Sequence, residues 1–532
     1  MPKNYFIGIG GTGARVAESL VHLCAAGLGP EDLTLFLIDP DKGNGNLSRT
    51  TGLMEAYKRA RGSFTNPAGD DVAAFRTNLS LPEPAVWHIF EQNGVALKNY
   101  VGLESIANNN PALADFAKVL FSDEEMSTAL DQGFRGHPNI GATVISNVPR
   151  DSDPWQTFWQ DVATEQAPNA IQVFLVGSIF GGTGAAGIPT LGAPQVLKQA
   201  PDATLGTASK IRLGAGLVLP YFSFAPGAVR EGDPQMFVTA ADFPVATKAA
   251  LAYYADKDLA FDDVYLFGDS LAQNVGTFSP GSAGQQNRAH YIELTGALAA
   301  LDFYRSTPHN GPTKYFHAAR STPIVDWDHL PVSRDTGAVQ EQLDRAKERL
   351  TTFATFAYAV LAHGIPILNR DISEVVDAWH ADHFAPRNMF GKRNQDKDPR
   401  QPADRQRIDA VAAYLDRFIR WAVALDPGSS GDVRLFNGKQ LLTSADATPD
   451  PSGSIPNPEA VGQEHGIGTL LRATTQNQDF TAFKNVLNAT DVRNVPNASV
   501  SNSDVFVNLF YRAARTFAVD NYALRTADST DA

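Results

Sequence analysis

Two short glycine turns limit this chain more than anything else in it: Gly8-Ile9-Gly10-Gly11-Thr12-Gly13 near the start, and Phe180-Gly181-Gly182-Thr183-Gly184-Ala185-Ala186-Gly187 in the middle. Each follows a short apolar run and opens onto apolar residues at helical spacing. A glycine turn between strand and helix lets backbone N–H groups approach a phosphate closely, and the helix start adds partial positive charge. A lone GxGxxG is a weak sign. Two GGTG turns in one chain, both after strands, point to a nucleotide whose phosphates are held from two sides. The bland alternative is that these glycines serve only tight strand–helix turns.

The order of elements carries the same message. Asn4–Ile9 reads as a buried strand, Gly13–Ala26 as a helix, and Leu33–Ile38 as a second strand ending in Asp39-Pro40-Asp41. Strand, glycine turn, helix, strand and acid in that order open a nucleotide-binding α/β sheet. Ile171–Val176 leads into the second turn, with Ile188–Lys198 as the helix after it. Leu213–Leu219 and Val264–Phe267 read as further strands, with helices at Pro244–Tyr254 and Gln286–Tyr304. This alternation through residue 305 predicts a mostly parallel sheet ending in a long central helix.

Beyond residue 305 the texture changes. Gln340–Ala362, Arg407–Leu425 and Asp504–Ala518 are amphipathic helices by spacing, and about 427–500 is rich in Pro, Gly, Ser and Asn and reads as irregular. The expected division is a Rossmann-like domain over 1–305 and a divergent α/β or α-rich domain over 306–532.

With 58 acidic against 44 basic residues, the chain lacks the excess of Lys and Arg that nucleic-acid and anionic-membrane binders use. Its single cysteine, Cys24, excludes an internal disulfide and a cysteine zinc cluster, and reads as a small buried hydrophobe. The first strand begins almost at Met1 and no run of about 18 apolar residues occurs, so neither a secretory leader nor a membrane span is expected and the reading is cytoplasmic. Neither glycine turn contains the lysine of GxxxxGK[ST], which disfavours a P-loop NTPase.

The paired turns resemble those of the tubulin/FtsZ superfamily, whose second loop reads GGGTGSG or GGGTGTG. Here that loop is one glycine short at the front and has Ala185 at the usual Ser/Thr place. The resemblance implies a GTP-binding domain with GTP or GDP on Gly10, Gly11, Thr12 and Gly13 and on Gly181, Gly182, Thr183 and Gly184. It puts Asp39 and Asp41 near metal or ribose, with Mg2+ held mainly through phosphate and water rather than by a protein metal site. Gly136-His137-Pro138-Asn139-Ile140-Gly141 looks like the γ-phosphate loop, which would bring in Gly136 and Asn139. Asp269, after the strand ending at Phe267, stands where the family contacts ribose or base, and Asn287 where it reads guanine. It also implies head-to-tail self-association into filaments or oligomers, with further protein partners possible. The family's catalytic acid after the central helix has no counterpart in Arg305–Pro312, and Asp326 and Asp328 lie far along, so slow or absent hydrolysis is expected and no catalytic residue is assigned.

Two other readings stay open. Gly8–Gly13, Asp39-Pro40-Asp41 and Asn46-Leu47-Ser48-Arg49 resemble the adenylyltransferases that activate ubiquitin-like proteins, in which Asn46 and Arg49 would position ATP. That reading leaves the second glycine turn without a purpose. An NAD-dependent oxidoreductase would use Asp39 to hold ribose hydroxyls. Among single residues, Asp39 and Asn287 are also readable as caps, His137 as a loop histidine, and Trp155 and Trp159 as core.

Overall fold

A computed structural model describes residues 2–63, 73–90, 94–127, 129–130, 134, 137–198, 209–225, 240–270, 273–277, 287–320, 322–333, 339–370, 375, 377–384, 397–425, 433–437, 467–471, 478–492 and 501–522. Its centre is a parallel sheet built from β1 (Lys3–Ile9), β2 (Asp32–Ile38), β3 (Asn78–Ser80), β4 (Val86–Trp87), β5 (Ile171–Ser178) and β6 (Ile211–Val218). After the short strand β7 (Phe222–Ala225), β8 (Asp263–Phe267) joins the same sheet. β9 (Gln273–Thr277) pairs with β7 outside it, and β10 (Lys314–Ala318) completes it. The order is β10-β8-β6-β5-β1-β2-β3, with β4 also on β2, and every pairing is parallel.

The strands are apolar because both faces are covered, as a parallel sheet requires. On one face Phe6 and Phe174 stack near α1 (Gly10–Ala25), whose Val16 and Leu20 are fully buried. On the other, Tyr5, Ile7, Ile9, Val173 and Leu175 join a second core that holds Trp155. Trp155 packs edge-on against Phe36 and Trp87, in keeping with its reading as core. Cys24 is buried on α1, and burial pushes its thiol up to about 12, so it is inert.

The remaining helices that matter are α2 (Gly45–Gly62), α3 (Pro138–Ile145), α4 (Gly182–Gly192) and α5 (Tyr291–Arg305). The C-terminal half adds α6 (Val339–Ala359), α7 (Pro402–Leu425) and α8 (Asn502–Tyr522), close to the three helices that amphipathic spacing predicts. α6 runs on through a π turn at Val360–Gly364. Val339–Leu368 is long and apolar enough to span a membrane, yet 78% of its apolar window is buried inside the protein. Phe480–Ala489 is a further helix within the stretch read as irregular; most of that stretch lies outside the described residues.

The C-terminal helices share one core with the sheet. Tyr414 on α7 donates to the Val21 carbonyl of α1 at 3.2 Å, and Trp421 Nε1 donates to Ser19 Oγ at 3.2 Å. The sheet itself continues past residue 305, since β10 pairs with β8 over Lys314–Ala318. The C-terminal half therefore covers the α1–α2 face as a helical layer.

Candidate functional site

The chain leaves β1 toward β2 and β3 on one side, and leaves β5 toward β6, β8 and β10 on the other. The neighbours β1 and β5 therefore flank the point where the winding reverses, and α/β sheets bind ligands in the crevice at that edge. Each of these two strands is followed by one of the glycine turns.

The glycines are the first turns of their helices rather than loops before them. α1 begins at Gly10 and α4 at Gly182, several residues earlier than the apolar spacing implies. Periodicity marks only where a helix buries side chains, and glycines have none to bury. Neither helix start receives a side-chain cap, because Ile9 and Gly181 stand at the N-cap positions, and neither first turn carries an acid. Uncapped first-turn N–H groups need acceptors from elsewhere. The two starts also meet: a Cβ on Gly10 would lie 3.3 Å from Thr183 Cβ and 3.7 Å from Gly184 N. Gly10 has φ +71°, a backbone shape that favours glycine.

The glycines divide the labour. A Cβ on Gly13 would lie 2.6 Å from the Val176 carbonyl oxygen and 2.6 Å from Gly8 C, so Gly13 lets α1 press onto β1 and β5. Gly184 sits as tightly on Ser178, with a Cβ there 2.8 Å from its backbone nitrogen. Gly11, Gly181, Gly182 and Thr183 are partly exposed and form the open lip; Thr12 is buried, its hydroxyl 3.5 Å from Arg15 Nη2.

The β2–α2 turn covers the first helix start. Asp39 is buried, with Oδ1 accepting the Asp41 N–H at 3.0 Å and Oδ2 accepting from Asn44 Nδ2 at 3.0 Å. Burial pushes its carboxyl up to about 7, with the Asp41 charge adding to the rise and the Asp41 and Asn44 hydrogen bonds opposing it. Asp39 thus organises its own turn rather than capping a helix, since the N-cap of α2 is Asn44, and its oxygens are already engaged. Asp41 accepts from Gly43 N at 2.8 Å. Asn44 caps α2 through Asn46 N, and its Nδ2 would be 3.1 Å from a Cβ on Gly11. Next to it, Asn46 Nδ2 is buried without any hydrogen-bond partner.

Asn287 precedes α5 rather than starting it. The helix begins at Tyr291 behind His290, whose Nδ1 accepts from Ile292 N while Glu293 Oε2 accepts from His290 N. Burial pulls the His290 imidazole down to about 3, so it is neutral and free to accept. Asn287 is nonetheless pinned beside the first glycine turn: its N–H donates to Asn46 Oδ1 at 2.9 Å and its carbonyl accepts from Arg49 Nη1 at 2.8 Å.

Under α1 lies a buried polar cluster. Arg15 Nε donates to Glu293 Oε1 at 2.5 Å and its Nη2 to the Tyr221 hydroxyl at 2.5 Å, while that hydroxyl donates to the same Glu293 oxygen at 2.6 Å. Burial opposes the Arg15 charge, and Tyr221 and Glu293 more than restore it. Arg49 grips Glu18 with both carboxylate oxygens within 3.2 Å.

Two expected ligand residues are engaged elsewhere. Asp269 is held in a bidentate pair by Arg320, at 3.1 Å and 2.6 Å, which shuts its carboxylate away from a ribose. Asn139 is exposed on α3 and donates to Glu125 at 3.1 Å, an acid that His137 also meets at 2.9 Å, so its amide bonds neither glycine turn. α3 does lie against α4, where a Cβ on Gly141 would be 2.5 Å from that of Ala186. Gly136 lies outside the described residues. Asp326 accepts from Asp328 N at 3.0 Å and meets His329 at 2.6 Å, a local cap.

The donors gathered at the crevice are glycine N–H groups, threonine hydroxyls and one spare carboxamide, a set that fits phosphate oxygens. Among the described residues no group of three or more His, Cys, Asp or Glu could hold a metal. A magnesium ion would come with the phosphates, its remaining positions filled by water. Compared with known proteins, the chain matches no family model and no curated protein.

Proposed function

We propose that this chain binds a guanine nucleotide as a divergent relative of the tubulin/FtsZ superfamily, self-associates head to tail, and hydrolyses GTP slowly or not at all. One observation carries the nucleotide part: two uncapped glycine helix starts converge at the reversal point of a parallel sheet. A single such start serves many Rossmann-like folds, whereas two that touch offer donors to both ends of a phosphate chain. A magnesium ion would be held there through the phosphates and water rather than by side chains, and would neutralise part of the phosphate charge.

Guanine preference and assembly rest on the family resemblance. The position of Asn287 supports the first, because its backbone is fixed beside the first glycine turn by Asn46 and Arg49. Slow turnover is supported by the segment after α5, where Arg305–Pro312 supplies no carboxylate. The rival readings fit less well. Arg49, which an adenylyltransferase would point at ATP, is taken up by Glu18 and Asn287. Asp39, which an NAD enzyme would offer to ribose, already accepts two hydrogen bonds within its own turn.

Titrating nucleotide-free protein with GTP, GDP, ATP and NAD tests the ligand, and sedimenting the same samples tests assembly. GTP and GDP are expected to bind most tightly, with larger species appearing in one guanine nucleotide state. Exclusive binding of ATP or NAD overturns the ligand, and an unchanged monomer at high concentration in every state overturns the assembly.

A further inference from the structure

Asn46 is completely buried at the start of α2, and three of its four polar groups are satisfied. Its N–H donates to Asn44 Oδ1 at 3.0 Å, its carbonyl accepts from Thr50 Oγ1 at 3.0 Å, and its Oδ1 accepts from Asn287 N at 2.9 Å. The last bond settles which way round the carboxamide sits, since a backbone N–H can only face the oxygen. The NH2 group must then point away from Asn287, and it meets no acceptor. It lies 3.6 Å from where a Cβ on Gly11 would stand. A buried donor left unpaired is costly, because it has given up its water without gaining a partner. Further donors stand at the same edge: the first-turn N–H groups of α1, uncapped by any side chain, and those of α4 across from them, while the nearby acceptors of Asp39, Asp41 and Asn44 are engaged within their own turn.

We infer that the Asn46 carboxamide donates to an oxygen of the phosphate chain on the first glycine turn, and so acts as the positioning residue that joins the phosphates to the Asn287 segment. This rests on the nucleotide reading above and names a contact within it. The acceptor is an anionic oxygen rather than a base or sugar hydroxyl, because Gly11 and the uncapped helix start surround the same spot. One side chain thereby holds two things at once, with its oxygen on the segment leading into α5 and its nitrogen on the ligand. An occupied site pays off the unpaired donor, and an empty one leaves it buried and unmet.

The test uses the full chain freed of bound nucleotide and titrated by calorimetry with GDP and, separately, with inorganic pyrophosphate. Asn46→Asp keeps an oxygen for the Asn287 N–H but turns a second acceptor toward the phosphates. Asn46→Ala removes both contacts and serves if the aspartate variant does not fold. Both variants are expected to lose at least about tenfold in affinity for either probe, the size of one hydrogen bond to a charged group. Pyrophosphate decides the matter because it has no base: a residue that acted only through Asn287 would weaken GDP and leave pyrophosphate untouched. Folded variants that bind pyrophosphate as the natural chain does overturn the inference and leave the nucleotide reading standing, with a water meeting the spare donor. A natural chain that binds neither probe overturns both.

Discussion

The two glycine turns share the letters GGTG and differ in almost everything around them. The first is surrounded by polar side chains: Asn44 and Asn46 stand against Gly11, and Arg15, Tyr221 and Glu293 are buried near Thr12. The second is backed by apolar groups, with Phe180 packed on Phe222 and Phe243 and α3 pressed onto α4 at Gly141 and Ala186. The same string therefore stands in an apolar frame on α4 and among polar side chains on α1. Glycines set how the chain turns; the neighbours set what the turn can recognise.

The largest expected effects come from the glycines that press on strands. Gly13→Ala or Gly184→Ala drives a methyl into the backbone of β1 or β5, at a cost of about 1–3 kcal/mol in stability or more. Gly182→Ala combined with Thr183→Ala, on the open lip, should keep the melting transition within about 0.5 kcal/mol and abolish nucleotide retention. Equal loss of stability in all of these variants would erase the distinction between packing and cradle glycines in either turn.

A smaller effect separates the two turns by pH, because among the described residues a buried acid, Asp39, covers the first. Asp39 has its carboxyl raised to about 7 from an ordinary 3.8, so between those values the folded chain holds a proton that the unfolded chain has released. This group's contribution to stability is therefore present below about 4 and lost as pH rises through 7. Denaturant unfolding at several pH values should show the decline, and Asp39→Asn should flatten it. A decline that persists unchanged in the variant would place the titrating group elsewhere.

Local patterns in the sequence reach a long way into this fold. Apolar runs ending in glycine locate β1 and β5, and the acidic turn after β2 is where the alternation puts it. Amphipathic spacing finds α6, α7 and α8 within a few residues. The shortfalls are of two kinds. Helix starts shift where the cue is unusual: α5 opens on a histidine cap with Glu293 at the third position, and α1 opens on glycines. Long-range pairings leave no local mark at all. Arg320 closes on Asp269 across 51 positions and Arg15 on Glu293 across 278, and neither partner's neighbours announce it.

Asn44 as a structural residue is the instructive omission, since an Asp39…Asn44-x-Asn46 spacing ahead of α2 is a turn-and-cap signal that local reading can use. β10 escapes for the opposite reason. It is an edge strand with Lys314, Tyr315 and His317 exposed, so it lacks the apolar run that betrays its buried neighbours.

The most direct test of the central claim is to denature protein purified without added nucleotide and identify by mass spectrometry what it releases. GTP or GDP in near-equal molar amount to the chain is the expected result. NAD or AMP instead, or a folded chain that carries and takes up no nucleotide, would contradict the account.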